Sequence, residues 1–171
     1  MKLVKTNKPK YPYKVTFNNG RTSPIPSQHK FKTSFIAHHG CSLVAFYIAL
    51  RFVGKKKTMT ALLRWSKSHL SYFMASKLRI NGVCAGINTF APSHAIYYEK
   101  PIYDIVLTAL KADKLVLLET KDPIHTNVLF KGSGNNFYNA SDGRVKKINV
   151  KNMVNRATDN RTYRGCVIVE G

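Results

Sequence analysis

The sequence predicts an α+β fold, with N-terminal helices, one of them central and buried, packed on a C-terminal, mostly antiparallel sheet. One observation is the run CSLVAFYIALRFVG at 41–54, apolar on nearly every face, the pattern of a helix inside a core. Another is the change of period after about residue 112, from helical spacing to short apolar runs divided by turn signals. The third is size. A chain of 171 residues, 44% of them hydrophobic, suits one domain with a sizeable core.

The elements follow in order. Residues 1–25 read as a basic N-terminal arm and a short strand, with Tyr13, Val15 and Phe17 alternating before the turn signal NNG at 18–20. The single domain runs over 13–171, and RTSPIPSQHKFKTS at 21–34 reads as loop. In the central helix Leu43, Phe46, Tyr47, Leu50 and Val53 fall at helical spacing, and Gly54 ends it. Thr58 caps a helix over about 59–69, which residues 70–79 would extend. Residues 80–95 contain glycine and read as irregular. Pro101 opens an amphipathic helix to about Ala112. Strands are then expected at LVLLE (115–119), HTNVLF (125–130), from FYNA (137–140) and over 145–150. A short helix at 151–157 and a closing strand GCVIVE complete the chain.

Composition narrows the classes. There is no apolar run of membrane-spanning length, and Arg51 interrupts the longest one. The start MKLVKTNKPKYPYKV lacks the apolar segment of a secretory signal. The expectation is a cytoplasmic protein, or one exported without a recognisable signal peptide. Three widely spaced cysteines form neither a disulfide framework nor a zinc ribbon. His38, His39 and His94 could be weighed as metal ligands with Cys41, but adjacent histidines rarely hold one ion and no carboxylate supports them. No metal and no cofactor is therefore expected. The 28 Lys and Arg against 8 Asp and Glu give a formal net charge of +20, a field that attracts polyanions. No helix-turn-helix, aromatic RNA platform or zinc finger accompanies it. Oligomeric state is not written in the sequence.

The chemistry centres on Cys41. A thiolate is the nucleophile, and an ordinary thiol with a pKa of about 8.5 is mostly protonated at neutral pH. A helix N-terminus and a nearby imidazolium both lower that value. Cys41 stands at the predicted start of the buried helix, where unpaired N–H groups face outward. His125 opens a strand, and Asn139 or Asp142 lies on the next strand or at its exit. A helix-start Cys, a strand His and a neighbouring Asn or Asp form a coherent triad.

These residues resemble the papain-like cysteine peptidases. Among them the chain is most similar to the bacterial family of double-glycine (bacteriocin-processing) leader peptidases and its stand-alone relatives in Gram-positive bacteria and phages. The likeness runs from about residue 26 to the C-terminus. It rests on Gln28 followed by IAHHGCSLVAFYIAL, on GKKKTMTALLRWSK, on IYDIVLTALKADKLVLLE leading to HTNVLF, and on NNFYNASDGRVKKINVKNMV. The family has Gly-Pro after the cysteine, where this chain has Ser42-Leu43. Its third polar residue is an Asp before Pro, here Asn139-Ala140 or Asp142-Gly143.

The resemblance implies a papain-like fold and a cysteine peptidase or amide hydrolase. Cys41 would be the nucleophile and His125 the base. Asn139 or Asp142 would orient the imidazole, and Gln28 with the Cys41 N–H would form the oxyanion hole. The partner implied is a peptide or other amide substrate. The alternative expectation is a catalytically inactive module on the same fold that binds a polyanion, nucleic acid or a cell-wall polymer, through its basic surface.

Overall fold

The computed structural model describes residues 1–69, 73–74, 77–121, 125–157 and 165–171, with nothing said of the side chains of Ser34, His38, His39, Phe73, Met74 and Lys77. The expectations placed on the His38 and His39 side chains and on residues 70–72 and 75–76 therefore lie outside the described residues.

The chain opens with β1 (Lys2–Lys5), β2 (Tyr13–Thr16) and β3 (Thr22–Ile25), an antiparallel sheet in that order. The arm expected over 1–12 is thus partly a strand. β1 is exposed along its length, so no apolar alternation announces it. β3 was expected as loop because of Pro24 and Pro26. It is an edge strand, where a missing N–H is tolerated, and Pro24 pairs in register with Lys14. A one-turn 3-10 helix at Gln28–Lys30 leads to α1 (Ser34–His39) and then α2 (Cys41–Phe52).

α2 is the predicted central helix, buried at every position except Arg51. α3 (Met59–Lys67) starts as expected at Thr58, whose side chain accepts from the Ala61 N–H at 3.1 Å. It does not continue through 79. Two short paired strands follow, β4 (Phe73–Met74) and β5 (Lys77–Leu78). The segment expected to be irregular is mostly a helix, α4 (Ile80–Phe90), with Ile80, Val83, Cys84 and Ile87 buried at helical spacing. Glycine in this helix disguises it and also permits it. A Cβ on Gly86 would sit 2.3 Å from Phe46 Cζ and 2.9 Å from Trp65 Cζ3, so α4 can lie against α2 only without a side chain there.

The remaining elements are β6 (Ala95–Tyr98), α5 (Tyr103–Lys111), β7 (Leu115–Thr120), β8 (His125–Lys131), β9 (Phe137–Ser141), β10 (Arg144–Ile148), α6 (Val150–Ala157) and β11 (Cys166–Val169). They build a six-stranded antiparallel sheet in the order β10-β9-β8-β7-β11-β6. Helices cover both faces, so every residue of β7 is buried. Leu115, Leu117, Val128, Phe130 and Ala140 join the α2 and α4 core. Val116, Leu118, Leu129 and Phe137 join Val106, Leu110, Met153 and Val154 beneath α5 and α6. Alternation along each strand sorts side chains between these two layers. The architecture is α+β. No helix among the described residues is long and apolar enough to cross a membrane.

The close approach of α4 to α2 gives a direct test of this packing. Gly86→Val should lower stability by about 1–3 kcal/mol through overpacking against Phe46 and Trp65. Urea unfolding of both proteins would measure it. An unchanged midpoint would mean the two helices do not touch at Gly86.

Candidate active site

Cys41 is the first residue of α2, and its residue is 9% exposed. The chain reaches it through Gly40, which ends α1. A Cβ on Gly40 would fall 2.2 Å from the Ile36 carbonyl oxygen, so glycine before Cys41 is a packing requirement of the helix start. The carbonyl of Gly40 accepts the Val44 N–H at 2.8 Å, the first turn of α2.

That first turn docks on the start of β8. Ser42 Oγ and Thr126 Oγ1 are 2.9 Å apart, buried and hydrogen-bonded. Cys41 Sγ lies 4.0 Å from Thr126 Oγ1. Burial alone would push the Cys41 thiol up. Hydrogen bonds to the sulfur from the His125 side chain and the Thr126 backbone N–H, together with the charge of His125, outweigh it and bring the pKa down from 9.0 to about 7. The other cysteines show burial acting unopposed. It pushes Cys84 up to about 11 and Cys166 up to about 12.

His125 is the first residue of β8, at the end of the sheet. Its Nε2 is hydrogen-bonded to Ser141 Oγ, which leaves Nδ1 as the ring nitrogen for Cys41. Neither Asn139 nor Asp142 bonds to the imidazole. Asn139 Oδ1 accepts the Val128 N–H at 3.1 Å, and its Nδ2 donates to Asn127 Oδ1 at 2.8 Å. Asn127 in turn donates to Thr120 Oγ1 at 3.1 Å and to the His125 carbonyl at 3.4 Å. Thr120 Oγ1 also donates to that carbonyl at 3.3 Å. Asn139 therefore supports the backbone of His125 through a buried polar ladder, one layer away from the ring.

Asp142 lies in the two-residue turn between β9 and β10. It has φ 44°, and Gly143 after it has φ 70°, the paired positive angles of an Asp-Gly hairpin. The turn aims the Asp142 carboxylate at the loop that carries Gln28. Its Oδ1 accepts the Gln28 N–H at 3.0 Å, and its Oδ2 lies 3.1 Å from His29 Nε2. Gln28 is 7% exposed. Its Nε2 donates to the Ala37 carbonyl at 3.4 Å, and its Oε1 is buried without a hydrogen-bond partner. One N–H of that amide remains for an incoming group.

The structure thus sets His125 near enough to Cys41 to lower its thiol pKa, and places Gln28 and Asp142 together. Thr126, Ser141 and Ser42 were not foreseen. Ser42 ties the cysteine helix to the histidine strand. His94 Nδ1 is bonded to the Glu170 carbonyl at 2.7 Å, and no His, Cys, Asp or Glu cluster fit for a metal occurs among the described residues. Comparison with known proteins found no match: no family model, no curated protein and no solved structure matches the chain.

The sign of the Cys41 shift sets a pH-dependence. Below about 7 the sulfur is protonated and slow, and above it the thiolate dominates. Iodoacetamide should label Cys41 with a midpoint near pH 7 and leave Cys84 and Cys166 unmodified there. His125→Ala removes both a hydrogen bond and a charge, so the midpoint should move up. Mass mapping of the three sites would check it, and a midpoint indifferent to His125 would contradict the geometry.

Proposed function

We propose that the chain is a cysteine peptidase, or more broadly an amide hydrolase, that works through a thioester at Cys41. The observation that supports this most is selective activation. Of three buried cysteines, the one at a helix start beside a histidine is brought to about 7, and the other two are driven to about 11 and 12.

In this reading Cys41 Sγ attacks the amide carbonyl carbon. The negative oxygen that forms is met by the Cys41 N–H at the start of α2 and by the spare Gln28 N–H. His125, holding the proton, gives it to the departing amine as the C–N bond breaks. Water then donates its proton to His125 and attacks the thioester, releasing the acid and restoring the thiolate. Ser141 holds Nε2 and so keeps the ring turned toward the sulfur. It has no negative charge, so it orients the imidazolium without neutralising it. Asp142 is a positioning residue for Gln28, and Asn139 for the His125 backbone.

The test is cleavage of a proteome-derived peptide library, read by mass spectrometry. Cys41→Ala should abolish it. Gln28→Ala should cost about 10²–10³ in rate through loss of an oxyanion donor. Ser141→Ala should lower kcat with little change in KM. A library that Cys41→Ala cleaves as well as the wild type would overturn the proposal.

A further inference from the structure

Beyond His125 the structure has a cavity of about 320 Å³ lined by Asn139, Ser141, Asp142, Arg144, Lys146 and Arg156. Arg144 and Lys146 alternate onto one face of β10, opposite Ser141 and Asn139 on β9. Arg156 enters from α6. Asp142 is the only carboxylate among the described residues of this lining. Its two oxygens are already engaged by the Gln28 N–H and by His29. Among the described residues, no carboxylate pairs with Arg144, Lys146 or Arg156. Among the described residues, three cations therefore line one concave space whose single carboxylate, Asp142, is already engaged.

This space adjoins the reacting groups through Ser141, which bonds His125 Nε2 on one side and lines the cavity on the other. The chemistry gives that side a meaning. His125 must protonate the departing amine, so the leaving segment of the substrate has to pass the imidazole. Arg144 stands two strand spacings from β8, about 10 Å at about 4.8 Å per strand. An extended peptide covers that distance in about three residues at about 3.3 Å each.

We propose that this cavity is the subsite for an acidic side chain of the leaving segment, two to three residues downstream of the scissile bond. The preferred substrate is then a peptide with Asp or Glu at that place. The assignment rests on the peptidase reading above. It differs from general attraction by the net charge because the cations converge on one cavity beside His125.

The experiment compares the wild type, a cavity variant (Arg144→Gln, Lys146→Gln, Arg156→Gln) and an arm variant with the same loss of charge (Lys5→Gln, Lys8→Gln, Lys14→Gln). Each is given the peptide library, and binding of fluorescein-labelled tetraglutamate and of a labelled single-stranded DNA is measured at one salt concentration. Wild-type cleavage sites should be enriched in Asp and Glu two to three residues downstream. The cavity variant should lose that enrichment, and its kcat/KM on acidic peptides should fall about ten- to a hundredfold while peptides without acid are cut as before. The arm variant should match the wild type. Cleavage without acidic enrichment, or enrichment lost equally in both variants, overturns the subsite and leaves the peptidase reading standing. No cleavage by any protein overturns the peptidase reading, and the leaving-segment assignment with it, even if tetraglutamate binding falls in the cavity variant alone. DNA binding lost in the cavity variant, with tetraglutamate binding unchanged, gives the cavity to a polyanion and also overturns the proposal.

Discussion

The site depends on one contact, the first turn of α2 set against the first residues of β8. The Ser42–Thr126 hydrogen bond at 2.9 Å holds a helix terminus to a strand terminus inside the core. Cys41 and His125 are each adjacent in sequence to a member of that pair. Their meeting is therefore fixed by two covalent neighbours and not by flexible loops. An α2 apolar on nearly every face supplies the anchorage, since its side chains pack against the larger sheet, α3, α4 and β3 together.

Around this contact, burial and polar interaction compete for the same sulfur. Burial disfavours a thiolate at every cysteine of the chain, and Cys84 and Cys166 show that effect unopposed. At Cys41 the Thr126 N–H and the imidazole reverse it. The supporting groups extend outward in two directions. One runs from Asn139 through Asn127 and Thr120 to the His125 carbonyl. The other runs from the Asp-Gly turn through Asp142 to Gln28. Both start on β9 or at its exit. This strand thus bears on the histidine and on the glutamine at once, while its Ser141 touches the ring itself.

Much of this is legible in the sequence, and the gaps have physical causes. The central helix, α3, α5 and the last strands follow from strong periodicity, and α3 also from its Thr58 cap, although α5 begins at Tyr103 and not at Pro101. The helix at 80–90 is hidden because Gly82 and Gly86 lower its propensity, and Gly86 is needed for a close helix contact. β1 and β3 are hidden because one is exposed throughout and the other carries Pro24 on a sheet edge. Cys41 and His125 can be chosen from residue type and position alone. The group on the imidazole cannot, because it depends on strand register. Pairing of Val128 with Ala140 carries Ser141 to the position diagonal to His125, while Asn139 falls opposite Leu129 and Asp142 passes into the turn. A serine between two better-known candidates gives no chemical signal of its own. Thr126 and Ser42 are equally silent, since a hydroxyl at a helix start or in a strand is ordinary.

The central claim is that Cys41 is held as a thiolate by His125 near neutral pH. Its most direct measurement is the ultraviolet thiolate absorbance across pH, taken as the difference between the wild type and Cys41→Ser. The account predicts a single-thiol step centred at about 7. A difference that rises only near the ordinary thiol value of about 8.5 or above would contradict it, and would make Cys41 a buried structural cysteine.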